Sequence, residues 1–340
     1  MRILFVDHVW RKHSHSADFF KEILKEAGCD VVDFWFDRPY HYKIPKTILD
    51  SVDVVVLWEF LYGRFKLGIP GKRCVYVPMY DNESGSRWLW RRIALSGMPV
   101  VSFCDRITRL AKECNVQNIV EAKFAFDPAR FAGYEGNPRV VAFWDRGQVG
   151  FDAIKALFAP EDVDKVIVVQ KEEEVKEPRL IARSDLEAYH VELRRGRYLP
   201  KDQYLEALKE PGVFIEPRYK EGIGLPFLEH LAMGKCIVSH DEPTMNEYVE
   251  DGKTGVLVDM RHPRRISAQE IGQVRANVRV AAEDAYRQWQ ESGARLAEMF
   301  AETANIAVHG SMANLRQFGL FVLSVFEYAT GVIWAKWCGF

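Results

Sequence analysis

The residues best suited to chemistry lie in the segment Glu221-Gly222-Ile223-Gly224-Leu225-Pro226-Phe227-Leu228-Glu229, just after the apolar run Val213-Phe214-Ile215. Pro226 belongs in a first helical turn, where the N–H it lacks has no helical acceptor anyway. A helix that starts behind glycines is an anion site. Its first N–H groups are unpaired, its dipole is positive at that end, and glycine lets a phosphate approach the backbone. Gly222, Ile223, Gly224 and Leu225 would supply those N–H groups. Glu221 stands in the loop before the helix, and Glu229 lies one turn inside it. Carboxylates on both sides of an anion pocket accept hydrogen bonds from hydroxyls, so the arrangement suits a diphosphate flanked by two polyhydroxylated rings. The competing reading is a tight turn with ordinary surface carboxylates.

Such a segment needs a buried strand before it and another after it. Cys236-Ile237-Val238 supplies the second, beyond the helix-stopping Gly234. The same rhythm runs along most of the chain. Apolar runs of strand length occur at 3–6, 31–34, 52–57, 74–77, 100–103 and 119–122, then at 140–143, 166–169, 213–215, 236–238 and 256–258. Helix-like stretches alternate with them; residues 16–27 place Phe19, Phe20, Ile23, Leu24 and Ala27 on one face before Gly28. Near-continuous Val/Ile runs between helices predict parallel sheets covered on both faces. The fold class expected is therefore α/β, with two Rossmann-like doubly wound domains facing across a cleft. The Gly/Pro-rich stretch 127–138 sets the boundary near 133, giving domains 1–133 and 134–310. A charged, Ala-rich helix is expected from Ser267 to about Glu302. An apolar, aromatic helix should occupy 311–340, packed across the domains or meeting a membrane surface or a partner; Glu327 and Lys336 interrupt it, which argues against a span.

The whole string from 213 to 238 resembles the Glu-x7-Glu signature of the retaining family 4 (group 1) glycosyltransferases of GT-B fold. Met245-Asn246-Glu247-Tyr248-Val249, followed by Asp251-Gly252-Lys253-Thr254-Gly255-Val256-Leu257-Val258, continues the likeness, and Phe124-Ala125-Phe126-Asp127-Pro128 and Val140-Val141-Ala142-Phe143-Trp144-Asp145-Arg146 are looser matches. The resemblance covers roughly 120–260 and reaches the N-terminal half only through topology. It implies transfer of a sugar from a nucleoside-diphosphate sugar to a glycan, lipid-linked or other hydroxyl acceptor, with retention of configuration and without a bound metal or other cofactor. It further implies that Glu229 binds the ribose hydroxyls, Glu221 the donor-sugar hydroxyls, and Arg146 the leaving diphosphate, whose growing charge rewards a preplaced cation. The acceptor would bind mainly to 1–133.

Two departures stand out. Such enzymes usually carry a Lys a few residues after that Arg, whereas here Arg146-Gly147-Gln148-Val149-Gly150 is followed by no Lys before Lys155. The glycine-rich loop expected after the first strand is replaced by Asp7-His8-Val9-Trp10-Arg11-Lys12-His13-Ser14-His15-Ser16. By position that loop faces the cleft, so Arg11, Lys12, His13 and His15 are candidates for phosphate or sugar contacts, and Ser14 or Ser16 for a helix cap. A solvent-exposed basic loop is the alternative. His13-x-His15 is a poor metal motif without further ligands. Asp81, in Asp81-Asn82-Glu83-Ser84, is a second cleft-edge candidate beside the reading of an ordinary capping loop. Trp10, Trp58, Trp88 and Trp90 offer stacking surfaces for an acceptor sugar, or core.

Bulk properties narrow the class. At 340 residues with 48% hydrophobic residues, two cored domains are affordable. Lys plus Arg (46) nearly balances Asp plus Glu (48), so no global attraction for nucleic acid is expected. Six cysteines, none in a Cys-x-x-Cys pair and several inside apolar runs, read as reduced thiols of a cytoplasmic protein, with peripheral contact at the inner membrane face left to the C-terminal segment. Three rivals remain at this stage: a nucleotide-sugar 2-epimerase-type isomerase of the same fold, a glycosyltransferase acting on modified DNA, and a non-catalytic sugar-nucleotide-binding protein.

Overall fold

The computed structural model describes residues 1–39, 41–63, 67–82, 85–171, 180–196 and 201–305. The apolar segment expected to form a helix over 311–340 lies outside them, as do Glu83 and Ser84. Among the described residues there are twelve strands in two six-stranded sheets. The first contains β1 (Arg2–His8), β2 (Asp30–Phe36), β3 (Val54–Trp58), β4 (Arg73–Val77), β5 (Val100–Ser102) and β6 (Ile119–Glu121), in the order β2-β1-β3-β4-β5-β6. The second contains β7 (Asn137–Asp145), β8 (Lys165–Lys171), β9 (Glu192–Gly196), β10 (Pro211–Ile215), β11 (Cys236–His240) and β12 (Val256–Val258), in the order β12-β11-β10-β7-β8-β9. Every strand pairing is parallel. Both sheets are doubly wound, as the alternating pattern predicts.

Burial explains why the apolar runs are strands. In β3, β10 and β11 every residue is buried, as are the five residues from Ile3 to Asp7 in β1. A strand covered on both faces has no polar face to alternate with, so it reads as an unbroken apolar run. The edge strand β9 breaks this rule. Its sequence, Glu192-Leu193-Arg194-Arg195-Gly196, has one apolar residue and was not expected as a strand. It pairs on one side only, with β8, and Lys165 and Arg194 both bond its Glu192, so charge rather than burial holds its outer end.

The chain forms two compact units. One comprises Met1–Ser102, Arg106–Ala122 and the described part from Glu291; the other comprises Phe103–Asp105 and Lys123–Gln290. In the first unit the core is aromatic: Phe5 and Phe20 lie 5.3 and 5.4 Å from Trp58, and Phe300 lies 6.3 Å from Phe20. Trp58 and Trp90 are fully buried here and therefore belong to the core, whereas Trp10 is 49% exposed. Burying one large apolar side chain stabilises by about 1.5–3 kcal/mol.

The long helix Ala268–Asn305 begins with a capping box. The Ser267 hydroxyl accepts the Glu270 N–H at 3.2 Å, and the Glu270 carboxylate accepts the Ser267 N–H at 2.9 Å, satisfying two donors the helix itself cannot. Up to Gln290 this helix groups with the second unit, where Trp289 meets Phe103 and Phe124; from Glu291 it groups with the first, where Gly293 lets it approach the Ile23 side chain closely. Among the described residues no helix is long and apolar enough to cross a membrane.

Candidate functional site

In a doubly wound sheet, ligands bind at the carboxyl ends of the strands where the strand order reverses. In the second sheet that point is between β7 and β10. β7 ends at Asp145 and delivers Arg146; β10 ends at Ile215 and delivers Glu216, Pro217 and Arg218. Two hydrogen bonds hold the loops together: the Val149 N–H donates to the Pro217 carbonyl at 3.2 Å, and the Tyr219 N–H to the Gln148 side-chain oxygen at 3.0 Å. Asp145 stays behind as a brace, accepting from the Gly147 N–H (3.0 Å) and the Gln170 amide (3.1 Å).

The helix expected after the glycines spans Leu225–Ala232 with Pro226 in its first turn. Gly224 sits at its N-cap with φ 70°, a left-handed conformation that glycine adopts without the side-chain clash other residues meet. A Cβ there would stand 3.0 Å from the Glu221 side chain. No side chain caps this helix start. Further along, its buried face is fixed by His230, which stacks on Phe214 of β10 with ring centres 3.9 Å apart. Burial, then the nearby Lys235 charge, push the His230 imidazole down to about 3, so it packs there in its neutral form. Lys235 is fully buried and donates to the carbonyls of Leu208 and Pro211.

Glu221 is 8% exposed and is the hub of the site. Its Oε2 lies 3.7 Å from the Arg146 guanidinium and its Oε1 lies 3.4 Å from that of Arg218. Oε1 also accepts the Gly222 N–H at 3.1 Å, and the Thr244 hydroxyl donates to the Glu221 carbonyl at 3.3 Å. Glu229 shares the half-exposed stripe of the helix with Leu225 and Pro226, and the Tyr204 hydroxyl donates to its Oε2 at 2.5 Å. Burial, then the Glu229 charge, hold the Tyr204 phenol well above its ordinary range, which keeps it a donor. Thus Arg146, Glu221, Gly222, Ile223, Gly224, Leu225 and Glu229 all lie in one unit, around one helix start.

Three participants were not anticipated. Tyr204 comes from the helix Lys201–Ala207, with no local pattern to mark it. Arg218 lies within the string 213–238 but outside Glu221–Glu229, and only the fold shows that its side chain turns to Glu221. Glu216 left a legible trace, an acidic residue directly after an all-buried strand. It is 2% exposed, and burial, reinforced by the Glu221 charge, pushes its carboxyl up to about 8 against the pull of Arg146 and Arg218. A carboxyl whose folded pKa is raised stabilises the fold below the ordinary Glu range and loses that contribution as pH rises towards and through the raised value. His230, whose imidazole is held down to about 3, contributes the opposite trend up to the ordinary His range, so the test is the difference between two proteins. Thermal unfolding followed from pH 5 to pH 8 should show Glu216→Gln gaining stability relative to wild type as pH rises, by about 1.4 kcal/mol per pH unit at most. A difference that stays constant with pH would show that Glu216 does not contribute in this way.

The first unit handles its own strand ends differently. Its order reverses between β1 and β3, and there Arg11 forms a buried ion pair with Asp7 (2.6 Å) and another with Glu59. Burial raises the Asp7 carboxyl, opposed chiefly by Arg11. The expected basic loop is partly a one-turn helix, Arg11–Ser14, and Arg11 is a buried brace at 7% exposure. His13 and His15 are exposed; His15 bonds Asp18 at 2.9 Å. Ser14 donates to Ser16, and neither caps the helix Asp18–Glu26, whose N-cap is Ala17, contrary to the expectation from sequence. Asp81 is exposed in a turn after β4. Among the described residues no group of three or more His, Cys, Asp or Glu side chains is placed to hold a metal ion.

Residues 153–271 match the family model described as Glycosyl transferases group 1. No curated protein sequence matches. Among solved structures, a glycosyltransferase from Rickettsia africae is similar over 90% of this chain and 99% of its own, with 12% identity and TM-score 0.60. Anabaena Alr3699/HepE in complex with UDP and glucose is similar over 89% of this chain and 100% of its own, with 13% identity and TM-score 0.57. The sucrose-phosphate synthase of Thermosynechococcus elongatus aligns over 89% and 98%, with 11% identity and TM-score 0.56. At these identities the structures establish a shared fold, GT-B.

Proposed function

We propose that this chain, which has the GT-B fold and matches the group 1 model over residues 153–271, is a glycosyltransferase and that the segment after β10 is its donor site. The observation that carries this reading is the pair Glu221 and Glu229 on either side of an uncapped helix start, with Arg146 against Glu221. Glu229 takes the ribose hydroxyls, Glu221 the hydroxyls of the transferred sugar, and the N–H groups from Gly222 to Leu225 the diphosphate. Arg146 stabilises the charge that grows on the diphosphate as its bond to the sugar breaks. An acceptor hydroxyl attacks the anomeric carbon on the face the diphosphate leaves, and its proton passes to a departing phosphate oxygen. Configuration is then retained without a separate general base. Residues 1–133 bind the acceptor, a carbohydrate or lipid-linked hydroxyl, and the enzyme works in the cytoplasm, at the inner membrane face when the acceptor is lipid-linked.

Thermal-shift measurements against UDP-, GDP-, ADP- and dTDP-sugars test the donor site. The UDP and glucose in the Anabaena structure make UDP-glucose the first choice. A donor at 100 times its dissociation constant stabilises the fold by about 2.7 kcal/mol. At least one should raise the melting temperature; no shift with any of the four would overturn the reading.

A further inference from the structure

The donor site contains a cation that neither the family pattern nor the sequence assigns. Arg218 follows β10 and Arg146 follows β7, the two strands that flank the switch point of the second sheet. Their guanidiniums approach different oxygens of one carboxylate, that of Glu221, at 3.4 and 3.7 Å, and the Gly222 N–H reaches the same group at 3.1 Å. Three donors from two loops thus converge on a single anionic group beside an uncapped helix start. The Arg218 side chain is 29% exposed, so it is anchored at Glu221 yet open to a ligand.

We propose that Arg218 is the second cation of the diphosphate site, standing in for the Lys that residues 147–154 do not offer, and that in the free enzyme Glu221 occupies donors which the phosphate oxygens take when the sugar nucleotide binds. The inference rests on the donor-site reading above. Guanidinium suits the exchange because its planar fork pairs with carboxylate and phosphate in the same way. Charge balance favours it too. Burial pushes the neighbouring Glu216 carboxyl up to about 8, towards its neutral form, which leaves Glu221 as the carboxylate that both guanidiniums approach. Release of Glu221 from its ion pairs also frees that carboxylate for sugar hydroxyls, which joins phosphate binding to sugar recognition.

Isothermal titration with UDP, GDP, ADP and dTDP, and with the matching nucleoside monophosphates, tests the proposal on wild type, Arg218→Gln, Arg218→Lys, Glu221→Ala and the Arg218→Gln/Glu221→Ala double variant. Loss of one charge-assisted contact should weaken the preferred diphosphate about tenfold or more in Arg218→Gln. The monophosphate should lose less, and Arg218→Lys should recover part of the affinity. The loss should persist when Glu221 is alanine, because the phosphate and not Glu221 is the partner that matters. Unchanged diphosphate affinity in Arg218→Gln, or in Arg218→Met should the Gln variant fail to fold, overturns the proposal while leaving the donor site intact. A loss that disappears in the Glu221→Ala background also overturns it, since Arg218 would then act only by holding Glu221. If wild type binds none of the four diphosphates, the donor site falls first and Arg218 with it.

Discussion

Arg146→Ala is expected to lower kcat for glycosyl transfer by about 10²–10³-fold, the cost of removing one preorganised donor from a group that gains charge in the transition state. The guanidinium leaves the chain directly after β7, and the loop that carries it is tied to the β10 loop and braced by Asp145. Its position is therefore set before any ligand arrives, and preorganisation is what makes a cation worth more here than in water. Because the diphosphate is already charged in the ground state, binding should suffer as well, but less than the rate. Steady-state kinetics with the donor found by thermal shift, together with titration of the matching nucleoside diphosphate, separate the two effects. Equal losses in kcat/KM and in diphosphate affinity, with kcat unchanged, would reduce Arg146 to a binding residue.

Glu229→Ala should have the second large effect, on binding rather than chemistry. A hydrogen bond to a charged acceptor contributes about 1.5–3 kcal/mol, so the loss of two ribose hydroxyl contacts should weaken the nucleoside diphosphate about 100-fold or more. Tyr204→Phe offers an internal comparison. Tyr204 only fixes the Glu229 rotamer through its 2.5 Å hydrogen bond, so its removal should cost less than removal of the carboxylate. Glu221→Ala should show the opposite balance, slowing transfer more than it weakens the bare nucleotide. Titration calorimetry with the nucleoside diphosphate decides the matter; a Glu229→Ala protein that binds it as wild type does would remove Glu229 from the ribose site.

The sheets were legible because both are buried on two faces. β3, β10 and β11 could be located from the apolar runs 52–57, 213–215 and 236–238, since a strand covered on both sides has no choice but to be apolar throughout. β9 was missed for the same reason seen from the other side: an edge strand pairs once and can be held by ion pairs, so Glu192-Leu193-Arg194 carries no periodic signal. The helix Ala268–Asn305 was expected at almost its observed start from its charged, Ala-rich composition, and the capping box that fixes that start is local, with Ser267 and Glu270 three residues apart. Arg11 shows the limit. Its type and position suggested a ligand contact, yet burial against the nearby Asp7 and against Glu59, which follows β3, makes it a brace.

In the donor segment the division follows range. Glycines, proline and the two carboxylates are neighbours in the chain, and the helix start they create, with its unpaired N–H groups, follows from local backbone chemistry alone. The fold places Arg146 and Arg218 together because β7 and β10, separated in sequence by two other strands, become neighbours at the point where strand order reverses. The same placement buries Glu216 behind them and brings Tyr204 to Glu229. Those pairings depend on which strands lie side by side, a choice made by packing over the whole sheet, and no short stretch of residues encodes it.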